Sequence, residues 1–238
     1  MKDILVIIPT HNESENIEIL ISRILKYLSS LKILIVDGGS TDSTVEKVKK
    51  LMQREKRLFL LEENEKRGLG RAYISGFKWG LENGYSRLVE MDADLSHRVR
   101  DLSRLLEVDS DLVIGSRWIE GGGIDNWSRP RELLSRFANK YVQFMLHLNI
   151  SDATSGFRTF SSEILRRIDL DSIRSEGYTF QIEMVRAARK VGAQIIEVPI
   201  TFREREFGKS KISRAIVLEA FIRVTYWGMR RIGGGGGI

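Results

Sequence analysis

The sequence predicts an α/β fold with a mostly parallel central sheet flanked by helices. Three observations carry that expectation. Short apolar runs of strand length alternate with stretches of helical periodicity through the first half. Turn-forming clusters separate them. Acidic or polar residues stand where several strands end. Such alternation lays helices over a parallel sheet. Ligands of such sheets sit beyond the C-terminal strand ends.

Ile4 to Ile8 reads as the first strand. Ile17, Ile21, Ile24, Leu25 and Leu28 recur at helical spacing. Lys32 to Val36 is a second strand, followed by the turn Asp37-Gly38-Gly39-Ser40. Asp42 or Ser43 suits the cap of a helix carrying Val45, Val48, Leu51 and Met52. Leu58 to Leu61 is a third strand, Ala72 to Leu81 a helix, Arg87 to Met91 a fourth strand and Asp111 to Ile114 a fifth. Gly121-Gly122-Gly123 then interrupts the chain, and Pro130 opens a helix of about 17 residues. Phe180 to Val191 is helical, and Gln194 to Val198 is a strand. The last periodic segment, 211–232, is an amphipathic helix, and a Gly-rich tail expected to be disordered follows at 233–238. No internal repeat is present. The body is therefore expected to span 1–210.

Composition narrows the chemistry. There are 238 residues, enough to bury one large core. Hydrophobic residues at 42% and charged residues at 29% exclude wholesale disorder. With no cysteine, disulfides, thiolate metal sites and Cys nucleophiles are excluded. Only His11, His97 and His147 offer imidazole, so a metal would be held chiefly by oxygen. The net charge of +6 suits phosphate-bearing partners. The basic residues are not massed in one run, which argues against nucleic acid. No signal segment is recognised at the start and no apolar run reaches about 18 residues. A cytoplasmic body is the expectation.

Asp92-Ala93-Asp94 follows the apolar strand Leu88-Val89-Glu90-Met91. Residues i and i+2 at a strand end share a face, so both carboxylates can reach one divalent cation. A bare D-x-D is also the pattern of a solvated acidic turn. Asp37 ends a second strand, and Pro9-Thr10-His11-Asn12-Glu13 ends the first. Taken alone, these fit helix caps and polar turns equally well. Gly68-Leu69-Gly70 allows backbone to approach a ligand or simply makes a turn. Three such ends on one sheet face a common rim, long enough for a nucleotide. Arg117, Arg129, Arg131, Arg158, Arg203, Arg205, Lys209 and Lys211 are read as loop or element-end residues. Guanidinium groups there suit bidentate phosphate contacts.

In order, the segments IIPTHNESENI (7–17), VDGGSTDST (36–44), GLGRAYISG (68–76), EMDADLSH (90–97), GSRWIEGGG (115–123), SDATSGFRTF (151–160) and EVPITFREREFGKSK (197–211) carry a family likeness. The chain resembles dolichol-phosphate (polyprenol-phosphate) mannose synthases, within the inverting GT-A, family 2 glycosyltransferases. The likeness runs from Ile4 to Arg214, and the order and spacing of the pieces are its specific part. It implies a GT-A, Rossmann-like nucleotide-diphospho-sugar transferase fold. It implies a donor pocket of Pro9, His11, Glu13, Val36, Asp37, Asp92, Ala93 and Asp94, with Arg205 and Lys211 meeting the diphosphate or the lipid phosphate. Asp92 and Asp94, with Ser96 or a water, would hold Mg²⁺ or Mn²⁺. Arg117, Arg131 and Ser135 would contact the lipid phosphate. The catalytic group would be Asp92, Asp94, Arg117 and Arg131. The chain departs from the family pattern at His11, Gly38 and Arg71, where Tyr, a second Asp and a small residue are usual.

The activity so implied is inverting transfer of mannose from GDP-mannose to dolichyl or polyprenyl phosphate. The acceptor is already anionic at neutral pH, so no strong general base is required. Alternatives are a polyprenyl-phosphate transferase using another donor, such as UDP-glucose, and a nucleotide-binding subunit without catalysis. The final helix carries Ile212, Ile216, Phe221 and Trp227 among Arg214, Arg223, Arg230 and Arg231. Such a helix suits either a membrane head-group layer or packing of one face on the core. Peripheral attachment to the cytoplasmic face of a membrane, directly or through a small membrane-protein subunit, is the corresponding expectation.

Overall fold

A computed structural model describes residues 3–63, 68–204 and 214–233, with side chains of the last helix described over 218–230. Arg205, Lys209, Lys211, Ile212 and the tail after 233 lie outside the described residues, as does the expected boundary at 210. The elements run β1 (Ile4–Thr10), α1 (Ile17–Tyr27), β2 (Lys32–Gly38), α2 (Thr44–Met52), β3 (Leu58–Glu63), α3 (Leu69–Glu82), β4 (Arg87–Glu90), α4 (Val99–Glu107) and β5 (Leu112–Ser116). The second half contributes β6 (Gly123–Asp125), α5 (Arg129–Leu146), β7 (Arg158–Ser161), α6 (Ser162–Arg167), a 3-10 turn at Leu170–Ser172, α7 (Gly177–Lys190), β8 (Ile195–Pro199), β9 (Thr201–Arg203) and α8 (Arg214–Gly233).

Seven strands form one sheet in the order β3-β2-β1-β4-β7-β5-β8, and β6 pairs β9 beside it. All neighbours in the large sheet are parallel except β7, which runs antiparallel to both β4 and β5. That exception shapes the site. An antiparallel strand starts at the rim where its parallel neighbours end, so the segment leading into Arg158 is delivered to the C-terminal rim. Strand register aligns the rim further: Thr10 pairs with Asp37, and Asp37 with Glu62.

Side chains alternate across the sheet as the strand period demands. Leu5, Ile7, Leu34 and Val36 face a core shared with α3, α5, α6 and α7. Val6, Ile8, Ile33 and Ile35 face a second core with α1, α2 and α4. Capping of α2 falls to Asp42, whose carboxylate accepts from the Thr44 N–H at 3.0 Å. The outer helix α8 lies over α5 and α7. Tyr141 stacks on Phe221 with centroids 4.7 Å apart, Val224 is buried, and Arg186 covers Trp227. One face of α8 is therefore packed, while Leu218, Phe221, Ile222, Tyr226 and Met229 keep half or more of their surface exposed.

Two corrections to the sequence reading follow. Arg158, read among loop or element-end residues suited to phosphate contacts, does open β7 but is fully buried, with its guanidinium donating to backbone carbonyls. The nine-residue α4 and the strands β6, β7 and β9 escaped the pattern search altogether.

Helix α3 lies unusually close to β1 because Gly76 faces Ile7. A Cβ there would come within 2.5 Å of Ile7 Cγ2. Gly76→Val is expected to destabilise the protein by about 1–3 kcal/mol through overpacking, read as a lower urea midpoint with an unchanged slope.

Candidate active site

A cavity of about 460 Å³ opens at the C-terminal rim. Pro9, His11 and Glu13 enter it from the end of β1, Asp92, Ala93 and Asp94 from the end of β4, Arg117 from the end of β5, and Arg131 from the first turn of α5. The loops before β7 and α7 complete the wall with Thr154, Gly156, Glu176 and Tyr178.

The acidic pole is tightly held. Asp92 Oδ1 accepts from the Tyr73 hydroxyl at 3.2 Å. Its Oδ2 lies 3.4 Å from His97 Nε2. His97 is itself buried, stacked on Phe157 at 4.7 Å and edge-on to Phe202. Asp94 Oδ1 accepts from the Ser96 N–H at 3.1 Å. Between them Leu95 sits at φ 63°, a left-handed conformation uncommon for a branched residue. That turn carries both aspartates into one cavity although neither lies within β4. Among the described residues no cluster of three His, Asp or Glu side chains is arranged to hold a metal. The pair nonetheless fits a hard divalent ion that keeps its other positions for water and phosphate oxygens.

Beneath the aspartates lies a dry polar layer. Burial pushes the Glu90 carboxyl up to about 8, against the opposing pull of Arg158 and of the adjacent Gln181 amide. Burial also lowers Arg158 to about 10, with Glu90 and Asp152 resisting. The Arg158 guanidinium donates to the carbonyls of Gln181 and Ala153, both at 2.7 Å.

The cationic wall is built on one buried ion pair. Arg117 Nε and Nη2 each donate to Asp152 at 2.7 Å, and its backbone N–H reaches the same carboxylate at 3.0 Å. Burial would raise Asp152, yet the Arg117 charge holds it below the usual carboxylate range. Glu197 of β8 accepts from the N–H groups of Ser151 and Asp152, so the loop cannot drift. Trp127 lies between two guanidinium groups, with Arg131 at 4.0 Å and Arg117 at 5.6 Å from its ring centre. Arg131 also donates to Glu204 at 3.0 Å.

The cavity thus gathers Pro9, His11, Glu13, Asp92, Ala93, Asp94, Arg117 and Arg131. Four expected residues are placed otherwise. Val36 is buried in the core with its side chain away from the cavity. Asp37 is buried too, its oxygens accepting from the Thr10 and Ser40 hydroxyls and the Ser40 N–H. Ser96 is buried and orients Asp94 through its backbone. Ser135 lies a turn beyond Arg131 on α5, outside the lining. Residues missed from sequence include Trp127, Thr154, Glu176, Gln181 and Phe202. Thr154 and Phe202 lie within segments that carry the family likeness and Gln181 within a helix read from its periodicity, but nothing local marked these side chains as lining a cavity.

A raised carboxyl binds its proton more tightly folded than unfolded, so stability is lost as pH climbs. Metal-free protein should lose stability between pH 4.5 and about 8, by at most about 1.4 kcal/mol per pH unit from Glu90. Glu90→Gln should flatten that slope while leaving stability near pH 4 unchanged, as read from urea titrations across pH.

Comparison with known proteins agrees with this architecture. Residues 5–169 match the family described as glycosyl transferase family 2. The chain is 45% identical over 228 residues to undecaprenyl-phosphate mannosyltransferase of Micrococcus luteus, covering 95% of this chain and 94% of that protein. It is 46% identical over 230 residues to polyprenol monophosphomannose synthase of Mycolicibacterium smegmatis, covering 95% and 87%. Among solved structures, glucosyl-3-phosphoglycerate synthase from Mycobacterium tuberculosis in complex with phosphoglyceric acid is similar with a TM-score of 0.66 at 18% identity, over 99% of this chain and 81% of that one. The same enzyme with Mn²⁺, UDP-glucose and phosphoglyceric acid gives a TM-score of 0.66 over 94% and 80%. That likeness shows a GT-A fold. By its own sequence relatives, the chain belongs to glycosyl transferase family 2, among the polyprenol-phosphate mannosyltransferases.

Proposed function

We propose that this enzyme transfers mannose from GDP-mannose to a polyprenyl or dolichyl phosphate, inverting the anomeric carbon. One observation carries the reading. Asp92 and Asp94 face Arg131 and Trp127 within a single cavity, and α5 runs from that cavity out to an exposed apolar surface. Apart from Tyr27, every exposed large apolar side chain among the described residues lies on α5 or α8, including Leu133, Leu134, Phe137 and Phe144. Apolar side chains exposed on two helices packed against each other suit a lipid layer. Among the described residues no helix is long and apolar enough to cross a membrane. We therefore place the protein peripherally on the cytoplasmic face, with a small membrane-protein subunit as a further means of attachment.

A divalent cation held by Asp92 and Asp94, Mg²⁺ or Mn²⁺, supplies charge neutralisation for the departing diphosphate. Pro9, His11 and Glu13 border the space for base and ribose, and His11 is fixed there by Gly38 O at 3.0 Å. Tyr73 and the Ser96 N–H hold the two carboxylates in place, so that little reorganisation accompanies reaction. Arg131, stacked on Trp127, meets the acceptor phosphate. Arg117 commits Nε and Nη2 to Asp152 and Thr154 and supports that wall with its charge. Arg205 and Lys211 are proposed to meet phosphate oxygens from beyond the described residues. The acceptor is an anion and attacks in line, opposite the leaving diphosphate. Holding two anions near one carbon is the principal work of the site.

The test is incubation of purified enzyme with GDP-mannose or UDP-glucose, a polyprenyl phosphate and Mg²⁺ or Mn²⁺. The expected product is polyprenyl-phosphate mannose from GDP-mannose. Exclusive use of UDP-glucose would overturn the donor assignment. Asp94→Ala should lower turnover at least about a hundredfold. Arg131→Ala should chiefly raise KM for the lipid, by about tenfold or more.

A further inference from the structure

Gln181, in the second turn of α7, is 2% exposed yet lines the cavity. Neither its amide oxygen nor its amide nitrogen makes a hydrogen bond of good geometry within the protein, although the amide lies near enough to Glu90 to favour that carboxylate. The two Glu90 oxygens are likewise buried and short of a well-formed bond. An unsatisfied buried polar group costs about 1–3 kcal/mol, and such groups call for an explanation in the site they face. Position narrows the explanation. A methyl group placed on Gly156 would lie 3.7 Å from Gln181 Nε2 and 3.4 Å from Asp92 Oδ2. The amide and the carboxylate therefore border the same small space.

Chemistry narrows it again. A carboxamide both donates and accepts, as a sugar hydroxyl does. A phosphate only accepts, and the guanidinium groups of Arg117 and Arg131 in the same cavity suit it better than an amide does. A polyprenyl chain offers neither donor nor acceptor. We infer that Gln181 is a specificity-determining residue that reads a hydroxyl of the donor sugar beside Asp92. This rests on the proposed function, because the sugar is the group bonded to the diphosphate that the Asp92–Asp94 pair would hold.

The experiment compares wild type, Gln181→Ala and Gln181→Met with GDP-mannose and its four single-deoxy analogues, with GDP–Mn²⁺ affinity measured by calorimetry on the same preparations. Wild type should lose about ten- to a hundredfold in kcat/KM on one deoxy donor. Both variants should lose a similar factor on GDP-mannose and nothing further on that donor, with GDP affinity within about twofold of wild type. Variants that keep the wild-type discrimination against every deoxy donor overturn the inference alone. Variants that lose GDP affinity as much as turnover also overturn it, since the residue would then be structural. A wild type that does not turn over GDP-mannose overturns the proposed function and this inference together.

Discussion

The buried Arg117–Asp152 pair ties the two halves of the site together. Removing both charges from water is costly, and only near-ideal geometry with every remaining donor engaged offsets that cost. The pair meets much of that demand, with two parallel bonds at 2.7 Å, a backbone bond to the same carboxylate, and Thr154 at 3.0 Å on the second nitrogen. Glu197 fastens the same loop from below. The loop then runs into β7, the one antiparallel strand of the large sheet, and Gly156 comes to rest against Asp92. A single ion pair thereby couples the cationic wall to the acidic pole. Breaking either partner would leave a buried charge and loosen both sides at once.

The surrounding electrostatics follow from that coupling. Arg117 commits Nε and Nη2 to Asp152 and Thr154, and its charge sits among the rings of Trp118, Trp127 and Phe202. Arg131 is held over Trp127 by its face, which positions the guanidinium while leaving its edge directed at partners. Aromatic stacking costs the arginine no donor, a useful property where an anion must later be bound. At the acidic pole, Asp92 accepts from the Tyr73 hydroxyl and Asp94 from the Ser96 N–H.

Much of this was legible in the sequence, for definite reasons. The buried strands β1, β2 and β5 are continuous apolar runs, and α1 and α3 are strongly periodic, so their patterns survive without tertiary information. The Asp92–Asp94 pair was found because a strand end and a spacing of two are both local signals. Strand β7 was not, since Arg-Thr-Phe-Ser has one strongly apolar residue in four and owes its strand conformation to the two neighbours it wedges between. Helix α4 hides a narrow buried stripe, Leu102 and Leu105, among four charged residues. Trp127, Glu176 and Gln181 reach the cavity from three separate segments. No spacing rule joins them, because their proximity is created by the chain's path. Val36 and Asp37, placed in the donor pocket by the family likeness, have side chains turned into the core and into the hydrogen bonds with Thr10 and Ser40.

The central claim is that the carboxylates at the end of β4 hold the cation that accompanies the donor diphosphate. Anomalous diffraction at the manganese edge, on crystals grown with GDP and Mn²⁺, measures this directly. The account predicts one manganese peak beside Asp92 and Asp94, with the nucleotide in the cavity that His11 lines. Manganese and nucleotide bound together at another place, with these two side chains touching neither, would contradict it.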